Sequence, residues 1–328
     1  MKSKAIVFRE ANKPQVEEIE VPALKDDEVM VDIEYSGVSI GTESSIFSGK
    51  RTQNGTFPLV SGYMATGAII EKGRNSGILK KGDRVAVVGA RLDCDVNSVW
   101  GAHNSIQVIS AANAIPVPEK APMKDAAMFI MSNVGLNAVS MAEVNEQETV
   151  LISGQGLIGQ MFGQWSRARG AKVITIEPDP QRAALSKKYV TQYVLNPFKD
   201  DIAKSISELT SGKGPDVVVE ATASAKLISE STKLLRPHSK MVFLSWYPEE
   251  ISINFSHFHN NYVRALFPMG SGNTKTTEAT LNGIAMNTIT FGENITDVYS
   301  FDKAVDGFKR LIEGDRSVMG MVIDWRKA

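Results

Sequence analysis

One cysteine, Cys94, stands in 328 residues, so the chain can form neither an internal disulfide nor a cysteine-rich zinc lobe. Long hydrophobic runs are also missing. None approaches the ~18 residues of a membrane span. There is no excess of charge of either sign: Lys and Arg number 36 against 37 Asp and Glu. That balance gives no broad basic field for nucleic acid and no acidic tail. The N-terminal Met1-Lys2-Ser3-Lys4-Ala5-Ile6-Val7 turns polar at Arg9-Glu10, without the apolar stretch and small-residue cleavage site of a signal peptide. Repeats and low-complexity tracts are absent. What is present is ordinary globular material, 43% hydrophobic and 22% charged. Its length suggests about two domains. The expectation is a soluble, cytoplasmic protein with no nucleic-acid or membrane partner.

The first 120 or so residues are punctuated by glycines and short β-rich segments. Val29–Tyr35, Thr66–Glu71 and Arg84–Val88 read as strands of a barrel-like domain. Pro116-Val117-Pro118 favours extended backbone and marks a boundary. A helical spacing from Lys124 to about Val144 follows, and then strands alternate with helices. Strands are expected at Thr149–Ser153, Lys172–Ile176, Tyr193–Leu195, Asp216–Glu220 and Lys240–Leu244. Helices are expected at Gly154–Arg169, Pro180–Lys188, Phe198–Thr210 and Ala225–Leu235. Apolar strands alternating with helices predict a parallel, doubly wound sheet covered on both faces. After about Ala265 the rhythm stops. Helices at Thr276–Met286 and Asp302–Glu313 and a strand at Gly320–Asp324 form a tail too short for its own core, which is expected to rejoin the first domain. The predicted division is 1–122 with 266–328, and 123–265.

Gly154-Gln155-Gly156-Leu157-Ile158-Gly159 directly follows a predicted strand and opens a predicted helix, as a dinucleotide-binding loop requires. Gly154 permits the tight turn, Gly156 lets backbone approach a pyrophosphate, and Gly159 lets the helix pack on the sheet. The helix N-terminus, from Leu157 and Ile158, offers free N–H donors to the anion. An acid is expected about 20 residues on, at the end of the second strand. Glu177 stands there. Its carboxylate would accept from ribose hydroxyls and repel a 2′-phosphate. Arg182 could meet such a phosphate, but Pro178-Asp179 bring no second cation, and NAD is the expected cofactor.

Several segments carry a family resemblance over essentially the whole chain. Tyr35-Ser36-Gly37-Val38-Ser39, Pro58-Leu59-Val60-Ser61-Gly62-Tyr63-Met64, Lys81-Gly82-Asp83-Arg84-Val85, Glu220-Ala221-Thr222-Ala223-Ser224 and Leu244-Ser245-Trp246 resemble segments of the medium-chain dehydrogenase/reductase superfamily. The resemblance implies a GroES-like β-barrel catalytic domain, a Rossmann cofactor domain, and cofactor contacts at Thr222, Ala223, Leu244 and Ser245. It also implies a homodimer joined through cofactor-domain sheets, for which Met241–Phe255 would serve. Where zinc members carry ligands, this chain has Ser39, Tyr63 and, by local alignment, Met131. None is a thiolate, imidazole or carboxylate, so no metal is expected. Gly37-Val38-Ser39-Ile40-Gly41-Thr42-Glu43, with Ser48-Gly49-Lys50 and Gly62-Tyr63, is similar to the bacteriochlorophyllide a dehydrogenase group, although Met64 stands where that group has Glu.

Without zinc, hydride transfer from a secondary alcohol needs hydroxyl donors and a proton relay. Tyr63 is placed to hold the substrate oxygen. Ser39 and Thr42 can pass the proton, and Glu43 can receive it, orient Thr42 or cap a helix by its charge. His103, in Trp100-Gly101-Ala102-His103, is an alternative base. Trp100 serves either packing or a flat or sugar-like substrate. His257 and His259 would share a face only in an extended strand, and Cys94 between Asp93 and Asp95 is disfavoured as a thiolate.

The expected activity is an NAD-dependent, zinc-independent oxidoreductase acting on a secondary alcohol or ketone: a tetrapyrrole side chain, polyol, sugar or cyclitol. The alternatives are an NADPH-dependent enoyl or quinone reductase and a non-enzymatic nucleotide-binding regulator. Polar rather than apolar residues at Ser39, Thr42 and Tyr63 weigh against the last.

Overall fold

The apolar strand runs of the middle of the chain assemble as a parallel sheet. The computed structural model describes residues 1–50, 56–247 and 250–328, and the chain divides into two units, 131–276 and 1–130 with 277–328.

The unit 131–276 holds six strands in the order Val194–Leu195, Lys172–Ile176, Thr149–Ser153, Val217–Glu220, Lys240–Phe243 and Arg264–Leu266, every neighbouring pair parallel. In chain order this is the doubly wound 3-2-1-4-5-6 arrangement, whose direction reverses beside the strand that feeds the glycine loop. Val150, Leu151, Ile152, Val217, Val218, Val219, Met241 and Val242 are fully buried, which explains the unbroken apolar runs. Helices Leu157–Ala168, Pro180–Tyr189, Ile202–Leu209 and Ala225–Thr232 connect the strands. Pro180 sits in the first turn of its helix, and Asp179 caps that helix by accepting the Arg182 N–H. The helix expected from Phe198 begins only at Ile202, because Asp201 takes the Lys204 N–H and fixes the start there.

The other unit is β-rich. One sheet runs Pro14–Glu20, Lys2–Phe8, Leu59–Val60, Asn97–Ser98. A second runs Asp297–Ser300, Met321–Asp324, Glu28–Val38, Met64–Lys72, Arg84–Val87, Ala114–Pro116, with Ile106–Ser110 also on Glu28–Val38. The central strand is longer than its alternating sequence suggested, because Tyr35–Val38 pair with Met321–Asp324 from the returning tail. Two register shifts in its pairing with Met64–Lys72 bend it as a barrel requires. Phe8, Phe47 and Phe308 fill the core, with ring centroids 5.2, 5.3 and 5.9 Å apart. The architecture is a GroES-like domain plus a Rossmann sheet.

The division falls at 130/131 and 276/277 rather than at 122/123 and 265/266. Thr66 Oγ1 donates to the Met123 carbonyl at 2.9 Å, and Asp125 Oδ2 accepts the Gly292 N–H at 3.2 Å, which fixes 123–130 to the barrel. Arg264–Leu266 pairs with Lys240–Phe243, which keeps the chain beyond 265 on the parallel sheet. The expected helix 124–144 is two helices, Met123–Ala126 and Phe129–Met141. Among the described residues no helix is long and apolar enough to cross a membrane.

Candidate active site

In the parallel-sheet unit the glycine loop has the steric requirements its spacing predicted. Gly154 has φ +93°, and a Cβ there would lie 2.8 Å from the Ala221 carbonyl oxygen, so no other residue fits. A Cβ on Gly159 would lie 2.3 Å from the Gly154 carbonyl oxygen, so the helix is packed directly on the loop. Gly156 differs: a Cβ there would meet nothing within 4 Å. This open ground lies at the start of the helix Leu157–Ala168, whose half-buried Leu157 and Ile158 form its first turn. Free backbone N–H groups and the positive dipole end make it a place for a pyrophosphate.

Glu177 is buried at the end of the second strand. Its Oε2 accepts the Gln155 N–H at 2.7 Å and its Oε1 the Asp179 N–H at 2.9 Å. Each carboxylate oxygen has two lone pairs, so capacity for a ribose hydroxyl remains. Arg182 contributes its backbone: its N–H goes to Asp179 and its carbonyl accepts from Gln160 Nε2 at 3.3 Å. At the next strand ends, Ser245 Oγ accepts the Ala223 N–H at 3.0 Å, and the Leu244 N–H reaches the Glu220 carbonyl at 2.9 Å. The Thr222 N–H and hydroxyl both donate to Glu220 Oε1. Glu220 is fully buried, its Oε2 has no partner, and burial pushes its carboxyl pKa up. Sequence reasoning missed Gln155 and the burial of Glu220. A carboxylate ending an all-valine strand was the available signal.

In the barrel unit, Glu43 and His103 are both fully buried and bonded to each other, His103 Nε2 lying 2.7 Å from Glu43 Oε2. Glu43 Oε2 also accepts the Ser61 hydroxyl at 2.8 Å, and Oε1 accepts the Ser39 N–H at 2.8 Å. His103 Nδ1 is 2.9 Å from Ser36 Oγ, which accepts from Trp325 Nε1 at 2.8 Å. His103 has both ring nitrogens engaged inside the protein, so it does not stand open as a base. Glu43 serves Ser39, Ser61 and His103, and its bond to the Ser39 N–H caps the helix Ile40–Phe47.

Ser39, the residue before that helix, is nearly buried, and Thr42 is half-buried within it. Tyr63 is half-buried, with its ring edge-on to Trp100, centroids 5.2 Å apart at 78°. Trp100 is 39% exposed and has φ +62°, a left-handed backbone. The structure therefore joins Ser39, Glu43 and His103 in one network and adds Ser36, Ser61 and Trp325, which sequence reasoning did not single out. Met131 lies buried in the helix Phe129–Met141. His257 and His259 sit on the helix Phe255–Asn260, two residues apart, and so point to different sides. Among the described residues no group of three His, Cys, Asp or Glu side chains is placed to hold a metal ion.

The alcohol dehydrogenase GroES-like domain model matches residues 25–119, and the zinc-binding dehydrogenase model matches residues 158–285. The chain is 25% identical to an L-threonine 3-dehydrogenase of Pyrococcus abyssi, over 73% of this chain and 74% of that one. It is 26% identical to a probable D-xylulose reductase A of Arthroderma otae, over 95% of this chain and 98% of that one. A solved oxidoreductase/dehydrogenase of unknown specificity from Escherichia coli shares the fold with a TM-score of 0.89 at 20% identity, over 99% of each chain. Barrel and sheet are thus each matched by a dehydrogenase model, and the chain belongs to the medium-chain dehydrogenase/reductase superfamily of NAD(P)-dependent oxidoreductases.

Proposed function

We propose that the protein is an NAD-linked, zinc-independent dehydrogenase that interconverts a secondary alcohol and its ketone, on a polyol, sugar, cyclitol or tetrapyrrole side chain. The observation that carries the cofactor choice is Glu177, a buried carboxylate bonded to the Gln155 N–H of the glycine loop. Its negative charge disfavours a 2′-phosphate. Gly156, with open space above it, and the first turn from Leu157 would hold the pyrophosphate; Thr222, Ala223, Leu244 and Ser245 would line the nicotinamide end. When bound, the cofactor accepts or supplies the hydride.

The chain's own residues handle the oxygen and its proton. Tyr63 hydrogen-bonds the substrate oxygen. In oxidation Thr42 and Ser39 would relay the hydroxyl proton along a hydroxyl chain toward the cofactor ribose and on to solvent water, which takes it up. The residues at the ligand positions of zinc relatives, a hydroxyl, a phenol and the Met131 thioether, support a metal-free reading. The substrates for which the relatives are named, L-threonine and D-xylulose, favour a small hydroxylated molecule. We also place the protein in the cytoplasm as a homodimer. The edge strand Arg264–Leu266 and the exposed Phe255 and Tyr262 offer a joining surface. The expected segment Met241–Phe255 includes Pro248 and Glu249, which lie outside the described residues.

Tyr63→Phe tests the reading. Loss of one donor to a developing oxyanion costs about 100- to 1000-fold in turnover. That loss is expected with NADH binding retained. Turnover within a few-fold of the parent would overturn the assignment.

A further inference from the structure

We infer that the buried Glu43–His103 pair is a positioning device that fixes Tyr63 and the Ser39–Thr42 segment relative to each other. The inference rests on the reading that Tyr63 and Thr42 handle the substrate oxygen. It assigns Glu43 and His103 as positioning residues rather than as the acceptor and the base.

Burial is the first ground. A carboxylate and an imidazole with no exposure are costly in an apolar core unless every polar atom is paired. The Phe308 ring lies 5.7 Å from His103, in a region where an apolar side chain would pack well. Stability alone therefore gives little reason to keep the pair.

Direction is the second. The Trp325 indole can only donate, and an ionised Glu43 can only accept. With Trp325 Nε1–H pointing at Ser36 Oγ, the Ser36 hydroxyl proton is free to go to His103 Nδ1. The ring proton then sits on Nε2 and goes to Glu43. Ser61 and the Ser39 N–H complete the partners of the carboxylate, so that both of its oxygens are hydrogen-bonded. One tautomer satisfies every group, so the ring has a single orientation.

Reach is the third. The His103 ring lies flat against Gly62: a Cβ on Gly62 would sit 2.7 Å from Cδ2, Cε1 and Nε2 of the ring. Gly62 has φ +91°, and its carbonyl accepts the Ala102 N–H at 2.8 Å, while the His103 N–H reaches the Ser61 carbonyl at 3.1 Å. Ser61 and Gly62 are thus held by hydroxyl, carbonyl and ring contact, and the next residue is Tyr63. The other oxygen of the same carboxylate holds Ser39, which starts the helix bearing Thr42. One side chain thereby anchors both segments that carry the proposed oxygen-handling hydroxyls. A misplacement of about 1 Å at a reacting group can cost roughly 100-fold in rate.

The test compares His103→Leu with His103→Gln in the full chain. Glutamine can donate to Glu43 and accept from Ser36; leucine can do neither. Two readouts are taken: steady-state kinetics with pH profiles, and the ring resonance of Tyr63 in ring-13C-tyrosine protein, identified by its loss in Tyr63→Phe. We expect His103→Leu to lower kcat by about 100-fold, with NADH affinity unchanged, and to shift the Tyr63 resonance alone among the seven tyrosines. His103→Gln should restore both the resonance and most of kcat, with the pH profile shaped as in the parent. If His103→Gln is as inactive as His103→Leu and loses a limb of the pH profile, the imidazole is the base and the inference falls. It falls equally if His103→Leu leaves the Tyr63 resonance in place. Should His103→Leu fail to fold, Ser36→Ala removes the donor to Nδ1 and must move the same resonance, less far, in the same direction. The resonance is read without turnover, so a failure of the hydroxyl reading in Tyr63→Phe is separable from a failure of the positioning.

Discussion

The Gln155 N–H donates to Glu177 Oε2 at 2.7 Å, so the acid that ends the second parallel strand also clamps the loop that follows the first. The carboxylate expected to choose between cofactors is part of the phosphate loop's own scaffold. Its removal should therefore have two effects rather than one.

The parent protein should bind NADH more tightly than NADPH in calorimetric titrations. Glu177→Ser should narrow that gap and also weaken NADH, since the loop loses its clamp. Glu177→Gln keeps an acceptor oxygen for Gln155 and should narrow the gap with less loss of NADH affinity. Tighter NADPH than NADH binding in the parent would contradict the assignment.

Gly156→Ala separates cofactor approach from folding. The added methyl meets nothing within 4 Å in the protein itself, so the melting temperature should stay near the parent's. NADH affinity should fall by ~10-fold or more, equivalent to about 1.4 kcal/mol, because the methyl enters the space left for the pyrophosphate. Gly154→Ala, forced against the Ala221 carbonyl at φ +93°, should lower stability as well. Equal affinity of Gly156→Ala and parent for NADH would show that the dinucleotide lies elsewhere.

Burial raises the Glu220 carboxyl above the ordinary value of 4.5. The folded protein then binds more protons at this site than the unfolded chain, so stability falls as pH rises from about 4.5 upward. Glu220→Gln cannot ionise. It should be more stable than the parent at pH 8, with the difference shrinking toward pH 4 in urea titrations. A difference that stays constant across that range would remove Glu220 as its source.

Elemental analysis of protein purified without chelators should find far less than one zinc per chain. Stoichiometric zinc that tracks with activity would refute the metal-free reading.

Thr42→Val should lower turnover while leaving NADH affinity at the parent's level, measured by stopped-flow and fluorescence titration. A parent-like rate would take Thr42 out of the proton path.

The parallel-sheet unit was legible because its signals are local. Strands buried on both faces are written as Val150-Leu151-Ile152 or Val217-Val218-Val219, and the loop and its acid fall within one strand-helix-strand stretch. The barrel was harder to read. Glu28–Val38 takes its length from partners at 64–72, 106–110 and 321–324, which no window around it contains. The polar network is similarly hidden. Ser36, Ser61 and Trp325 are unremarkable in sequence, and only the folded sheet brings them to Glu43 and His103. His103 and Glu43 were recognisable as chemical groups, but not as partners, because they stand 60 positions apart.

The pairing of Met321–Asp324 with Tyr35–Val38 also sets an order of events during synthesis. Residues 131–276 emerge as one uninterrupted stretch and can complete their sheet while translation continues. The barrel cannot. Until residues 321–325 leave the ribosome, the Tyr35–Val38 part of the central strand waits with one edge bare and Ser36 without its Trp325 donor. Conditions that slow elongation through residues 277–328 should prolong that vulnerable interval, and damage to the yield of soluble protein should originate in the half of the fold whose segments lie on both sides of the other.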